Sequence, residues 1–535
     1  MPQQGFVVQS ATIRGVEAVP VLVEIAISSG IPSFFIVGMA DAAVMESRER
    51  VKAAIRASGF RMPTDKIVVN LAPSEIRKTG SGFDLPIALG ILLATHQLDP
   101  ALVENTLVVG ELSLEGVVRA PSGMLAYQQC AHAHGWKLLC GLSDEAMLPL
   151  EGLTCAMVEH LTHVRTGRFM EPLRARDITP HSEMDYRDVL GHEAAKRAFQ
   201  VAAAGGHGVL MVGPPGSGKT MLAQRFGSIL PKLNEEERLQ AALIHSVAGE
   251  RYSNILAGVR PFRSPHHSAT AAGLIGGGRP PRPGEASLAH KGVLSLDELA
   301  EFSARALQTL RQPLETGHIV LTRADGTYVF PAQFQLIAAT NPCPCGYFGD
   351  PSGKCTCSVS AVRAYQNRIG GPLIDRIDMR IDVWRENSAS LFAHNTGKSS
   401  DELREGVLRA RAFRRWRESK NASSCVQADG SDDINSDTGN GAGAYGSQVE
   451  GCKSAGEYCG DSGKQSLLSL KEACAFDGDT EQFFLSLAEK QLMSARSVAK
   501  TLLLARTIAD LDEDEQVRTA HVAEAFGLRF GGNQW

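Results

Sequence analysis

The chain has 535 residues, 43% hydrophobic and 21% charged, with a formal net charge of −5. This is the profile of an ordinary globular protein of about three or four domain-sized units, and it carries no global basic signature. Any nucleic-acid contact must therefore come from local patches or from a ring of subunits that focuses positive charge inward. No apolar run reaches ~18 residues and Met1-Pro2-Gln3-Gln4 has no basic leader region, so a cytoplasmic protein without a membrane partner is expected. Eleven cysteines, an odd number, argue against a disulfide framework.

Residues 1–170 read as an α/β unit. Val21, Val23 and Ile25 alternate as in a strand, and Phe34-Phe35-Ile36-Val37 and Lys66 to Leu71 read as two more. Asp41 can cap a helix running through Ile55, with Val44, Val51 and Ile55 inward and Glu46, Arg48, Glu49, Arg50 and Lys52 solvated. A basic turn, Arg77 to Gly82, precedes an almost wholly apolar helix from Asp84 to Thr95. Ser81 in that turn has no recognisable base or lysine partner, as a nucleophile would need.

Residues 171–188, with Pro172 and Pro180 and several charges, form a polar connector. Beyond it, a helix over Ala194–Ala204 leads to an apolar run, Val209 to Val212, and then to Gly213-Pro214-Pro215-Gly216-Ser217-Gly218-Lys219-Thr220. This is a complete phosphate loop, G-x-x-x-x-G-K-[ST]. Its backbone amides and the following helix N-terminus suit an anion, Lys219 the β- and γ-phosphates of ATP, and the Thr220 hydroxyl Mg²⁺.

The apolar strand ending in Asp297-Glu298 reads as the partner element, with Asp297 on Mg²⁺ and Glu298 orienting the attacking water. A helix over about Ala304–Glu315 follows. Two β-like runs, His318–Thr322 and Tyr328–Phe330, flank Asp325-Gly326 as a hairpin. A further strand, Phe334 to Asn341, ends in an asparagine suited to sensing the γ-phosphate.

The turn before the helix at Asp84 resembles a Lon-protease-like domain in which Gly82 and Met124-Leu125 stand where the serine and lysine would be. The resemblance therefore implies a domain without the Ser–Lys dyad. Arg260-Pro261-Phe262-Arg263-Ser264-Pro265-His266-His267, Gly276-Gly277-Gly278, Arg282-Pro283-Gly284-Glu285, Leu310 to Glu315 and Asn341 to Gly346 together resemble the ComM/YifB family of magnesium-chelatase-like AAA+ ATPases.

That family implies a Lon-like domain over 1–170, an AAA+ core over 189–385 with a helix-2 insert and a pre-sensor-1 hairpin, and a helical lid over 386–417 and 466–535. It also implies a hexameric ring, and its best-described member is a DNA branch-migration helicase of natural transformation. On the same resemblance Arg376 stands at the arginine-finger position, reaching a neighbour's γ-phosphate, and Arg496 at the sensor-2 position, reaching it in cis. An intrachain pair with Asp375 or Asp378 is the other reading of Arg376. A chelatase-type subunit and an ATP-dependent Lon-like protease are the alternative functions.

His266-His267 reads as a loop or substrate-contact pair, and Gly276–Gly278 as a flexible loop near the pore. Cys343, Cys345, Cys355 and Cys357 could close a structural Zn²⁺ site, with reduced thiols the alternative. The helix over 401–417 carries six arginines that read as a solvated face or a nucleic-acid contact. Residues 418–465, rich in Ser, Gly, Asp and Asn, read as a disordered insertion, and helices resume from Leu467.

Overall fold

A computed structural model describes residues 6–172, 184–351, 353–386, 397–428 and 466–531. The N-terminal unit is built on a seven-stranded sheet of order β3-β4-β2-β1-β5-β8-β9. Its strands are β1 (Phe6–Arg14), β2 (Glu17–Ser28), β3 (Ser33–Val37), β4 (Lys66–Ala72), β5 (Thr106–Val109), β8 (Lys137–Gly141) and β9 (Cys155–Val158), with β6 (Glu111–Leu112) and β7 (Val118–Arg119) pairing beside it. β1 is absent from the sequence reading. Its inward positions, Val8, Ser10 and Thr12, include two buried hydroxyl side chains, so no apolar alternation advertises it.

The helix Ala42–Ala57 starts at the Asp41 cap as expected, its carboxylate accepting from the Val44 amide at 2.9 Å. The apolar helix Asp84–Ala94 packs between that helix and the sheet. Arg50, read as solvated, instead reaches inward. Its Nε and Nη2 donate to the two carboxylate oxygens of fully buried Asp84 at 2.7 and 3.0 Å, because a buried carboxylate needs a cation and bidentate donors.

The second unit holds a parallel sheet of order β11-β12-β15-β10-β16, from β10 (Val209–Val212), β11 (Phe262–Arg263), β12 (Val293–Leu296), β15 (Gln335–Thr340) and β16 (Met379–Asp382). Alternate residues serve two cores. Val209, Met211, Ile337 and Ala339 join Phe199, Phe226, Leu504 and Ile508 on one face. Leu210, Val212, Leu294, Leu296 and Leu336 join Leu299, Phe302 and Leu310 on the other. Tyr186, inside the polar stretch 171–188, is fully buried in the first of these cores and donates from its hydroxyl to Leu222 O at 2.9 Å.

The hairpin forms as β13 (His318–Arg323) and β14 (Gly326–Pro331). The helix expected over 304–315 is broken into Ala304–Thr309 and Arg311–Thr316, since Pro313 has no N–H for the carbonyl four residues back.

The arginine-rich helix is longer than its reading, spanning Ser400–Ala428, and it packs against the helices Glu193–Gly205, Lys219–Ile229 and Ala495–Leu511. Its arginines are correspondingly not one solvated face. Arg417 is buried against Asp510 at 3.1 Å and Arg411 donates to Ala203 O, whereas Arg409, Arg414 and Arg415 stay exposed. Residues 429–465, most of the insertion expected over 418–465, lie outside the described residues.

The two units dock through the helix Met124–Ala133, which lies against the helix Glu235–Ala248. Fully buried Leu125 shares a core with Leu233, Ala241, Ala242 and Tyr252, and the Leu125 amide donates to Ser246 Oγ at 3.2 Å. In the turn across from it, Ser81 Oγ donates to Glu111 and buried Lys78 Nζ to Pro73 O. Among the described residues of this unit no lysine is hydrogen-bonded to a serine hydroxyl. No helix among the described residues is long and apolar enough to cross a membrane.

Candidate nucleotide site

All five strands of the second sheet are parallel, so their C-terminal ends share one edge, where open α/β sheets bind ligands. β10 lies between β15 and β16, in register from Val209 opposite Ile337 and Met379 to Val212 opposite Thr340 and Asp382. β12 lies on the far side of β15, with Leu296 opposite Ala338. The loop after β10, the carboxylates after β12 and the asparagine after β15 therefore meet at one edge because of strand order alone.

The phosphate loop is tight. A Cβ on Gly213 would sit 2.0 Å from Val383 O, and Gly218 holds φ +87° at the helix entry, a left-handed conformation costly for other residues. Lys219 opens the helix Lys219–Ile229. Its Nζ donates to Gly213 O at 2.8 Å, Pro214 O at 2.9 Å and Asn341 Oδ1 at 3.3 Å. Burial lowers its pKa below the ordinary lysine value, while Asp297 and Glu298 pull the other way. Ser217 Oγ is buried and, among the described residues, has no hydrogen-bond partner.

Thr220 and Asp297, 77 positions apart, meet directly. Thr220 Oγ1 donates to Asp297 Oδ2 at 2.6 Å, and Asp297 Oδ1 accepts from the Glu298 amide at 2.8 Å. A hydroxyl and a carboxylate so placed are hard oxygen donors of the kind Mg²⁺ takes. With a buried lysine and an unpartnered hydroxyl in the adjoining loop, the residues fit a Mg²⁺-bound nucleoside triphosphate. Glu298 stands at φ +52°, a strained conformation for a non-glycine residue that costs of order 1 kcal/mol or more.

Three contributors were not legible as such in the sequence. His267 Nδ1 is 3.0 Å from Glu298 Oε2, so the loop after edge strand β11 reaches the carboxylate after β12, and the His266 ring lies tilted against the His267 ring with centroids 4.0 Å apart. Arg385, just beyond β16, donates from Nε and Nη2 to Pro215 O at 3.2 and 2.7 Å, bolting the phosphate loop to the sheet's far edge. Glu315 gathers both expected phosphate arginines: Arg376 donates to it, and Arg496 Nη2 does so at 3.0 Å. His267 and Glu315 lie in stretches that carry the family resemblance, Arg260–His267 and Leu310–Glu315, but neither stretch names the partner its residue meets, and Arg385 lies in none of the motifs read from the sequence.

Arg376 pairs with Glu315, and not with Asp375 or Asp378. Asp378 has another task. Partly buried, it accepts from the Gly208 amide at 2.9 Å and pairs with Lys500 at 2.7 Å, tying the phosphate-loop strand to the helix Ala495–Leu511. Arg496 lies with Arg376 at Glu315, and among the described residues no hydrogen bond or ion pair joins it to Lys219. Gly276–Gly278, read as a flexible loop, is a closed turn. Gly277 and Arg282 exchange two backbone hydrogen bonds at 3.1 and 2.8 Å, and a Cβ on Gly276 would sit 2.4 Å from Arg282 O.

Cys343, Cys345, Cys355 and Cys357 converge just beyond Asn341, with their sulfur atoms all within 4.8 Å of one another.

Three family models match the chain. Magnesium chelatase, subunit ChlI, matches residues 185–391; subunit ChlI of Mg-chelatase matches 23–140; and the subunit ChlI C-terminal model matches 455–529. The YifB protein of Salmonella typhimurium is 35% identical over 534 residues, covering 98% of this chain and 96% of its own. The competence protein ComM of Haemophilus influenzae is 36% identical over 538 residues, covering 98% and 97%. The magnesium-chelatase 67 kDa subunit of Chlorobaculum tepidum is 28% identical over 159 residues, 29% of this chain and 23% of that one.

Proposed function

Since the chain belongs to the ComM/YifB family of magnesium-chelatase-like AAA+ ATPases, we propose that it works as a hexameric ring that hydrolyses ATP to translocate DNA, as a branch-migration helicase does. The observation that carries the ATPase half is the 2.6 Å contact between Thr220 and Asp297 beside buried Lys219. The DNA half is supported by likeness to a competence protein along 98% of the chain, against 29% for the chelatase subunit.

In this reading Lys219 neutralises the β- and γ-phosphates, and Asn341, already bonded to Lys219, contacts the γ-phosphate. Thr220 and Asp297 would hold Mg²⁺, which offsets charge on the phosphate oxygens. Glu298 orients water and takes up its proton. Arg376 is offered to the neighbouring subunit's γ-phosphate, where it offsets developing negative charge. Arg496 shares Glu315 with Arg376, and in this reading both are offered to that same nucleotide. The N-terminal unit is a Lon-like scaffold without peptidase activity, and the helices after Ser400 form the lid.

ATP turnover with and without DNA, followed by branch migration on a synthetic four-way junction, tests this. Lys219→Ala should abolish turnover. An intact ring whose ATPase ignores DNA and which leaves the junction unmoved would sink the DNA half, and unchanged turnover in Lys219→Ala the other.

A further inference from the structure

The four cysteines lie on a loop that starts two residues after Asn341 and folds back beneath the phosphate loop. Their sulfur atoms are 3.3 Å (Cys343 to Cys345), 3.7 Å (Cys345 to Cys355) and 3.9 Å (Cys343 to Cys355) apart. These are too long for a disulfide, whose sulfurs lie about 2.0 Å apart. They bracket the edge of a tetrahedron with Zn–S bonds of about 2.3 Å, which is about 3.8 Å. Cys343 is fully buried, and the Phe348 amide points at its sulfur at 3.3 Å, a contact suited to a thiolate. Cysteine sulfur is a soft ligand that selects zinc over Mg²⁺, and four sulfurs leave no open coordination position.

The loop these sulfurs close does not stand free. Gly346, at φ +84°, backs onto the phosphate loop so closely that a Cβ there would lie 2.6 Å from Pro215 Cδ and 3.8 Å from Asn341 Cγ. Next to it, the Tyr347 ring carries the Arg385 guanidinium at 5.6 Å, the same group that donates to Pro215 O. Pro215 is thus held from two directions, by Arg385 and by the cysteine loop.

We propose that Cys343, Cys345, Cys355 and Cys357 bind one Zn²⁺, and that the ion stiffens this loop into a buttress that fixes Pro215 and Asn341 for nucleotide binding. The metal site stands on its own geometry, while the coupling rests on the phosphate-loop reading. Without the ion, four adjacent thiols have no bond that closes the loop, and its hold on Pro215 loosens.

The test measures zinc content and affinity for a fluorescent ADP analogue on the full-length protein. The wild type should carry one zinc per chain, released in step with modification of four thiols by a mercurial. Cys355→Ser should lose zinc and bind the analogue about tenfold more weakly, the scale of a small misplacement of binding groups. Cys357→His, which keeps a ligand, should retain both. Gly346→Ala should keep zinc yet bind nucleotide more weakly, which reports on the buttress even if the cysteine variant fails to fold. A zinc-free wild type with four reactive thiols overturns the metal site. Zinc-loaded Gly346→Ala with unchanged affinity overturns the coupling. A zinc-loaded wild type that binds no analogue overturns it through the phosphate-loop reading, and the zinc content separates that failure from absence of the ion.

Discussion

Glu298 and Asp297 are adjacent carboxylates with different partners, to which the proposed mechanism gives different tasks. Asp297 spends both oxygens inside the site, on Thr220 and on a backbone amide, while the Glu298 carboxylate, among the described residues, pairs with the imidazole of His267. Glu298→Gln keeps the shape and the backbone and removes the proton acceptor. It should lower kcat by about 10²–10⁴-fold, the usual worth of a general base, with nucleotide affinity nearly unchanged. Single-turnover hydrolysis alongside ADP-analogue binding separates the two quantities. Another residue-scale prediction concerns His290, whose Nδ1 accepts from the Gln333 amide at 3.0 Å, leaving Nε2 to face Gln240 Oε1 at 3.3 Å. Burial, helped by neighbouring Lys291, lowers its pKa to about 3. The unfolded chain therefore takes up a proton below about pH 6.5 that the folded chain refuses until about pH 3, so stability falls as pH drops through that window. From pH 7 to pH 5 the loss from this residue is about 2 kcal/mol. Urea unfolding across that range should show the slope, and His290→Gln should flatten it. Burial lowers the pKa of His207 and His245 as well, so part of the slope should survive the substitution.

At the scale of elements, the C-terminal helices are held to one another and to the ATPase core by buried charge. Asp510 accepts from Arg417 at 3.1 and 3.2 Å and from Arg506 at 3.1 Å, with all three side chains almost wholly buried. Asp510→Ala would leave two guanidinium groups in the core without a counter-charge. It should cost about 3–5 kcal/mol, as a broken buried pair does. Arg409→Ala, which removes an exposed partner 3.9 Å from Glu513, should cost under about 1 kcal/mol by the same denaturation measurement. These arginines also mark where reading from the chain stops. Composition and spacing show a basic helix at 401–417 but not which cations turn inward, because that depends on Asp510, nearly a hundred positions away. The phosphate loop, the strand ending at Asp297 and the strand ending at Asn341 are legible because each is a local pattern whose chemistry demands its spacing. Strand β1 is not, since its buried face is partly hydroxyl. Arg50 is not either, since a helix face polar by pattern can still cover a buried carboxylate. His267 and Glu315 act through side-chain contacts between separate loops and helices, which no periodicity encodes.

At the scale of the whole molecule, the arrangement of Arg376 bears on assembly. Within one chain it lies against Glu315, and no described ion pair or hydrogen bond brings it to Lys219, Asp297 or Asn341. If the arginine completes a neighbour's site, a chain lacking it and a chain lacking Lys219 are inactive alone for different reasons, one as donor and the other as acceptor. Mixed in one ring, they create interfaces where a chain with intact Lys219 faces a neighbour with intact Arg376. In a random equal mixture such interfaces are about a quarter of the total, since a closed ring uses the same contact between every pair of neighbours. Arg376→Ala and Lys219→Ala should therefore each be nearly inactive, and their mixture should regain ATP turnover up to about a quarter of wild type if interfaces act independently. Subunits must exchange for this to be read, so the two are mixed at low protein concentration and then allowed to assemble. A mixture as inactive as its components, in rings shown by mass to contain both chains, would place Arg376 at its own chain's nucleotide or outside the reaction. Glu315→Ala offers the converse: freed from that carboxylate, Arg376 and Arg496 need no exchange of partners to reach across, and turnover in the assembled ring should not fall.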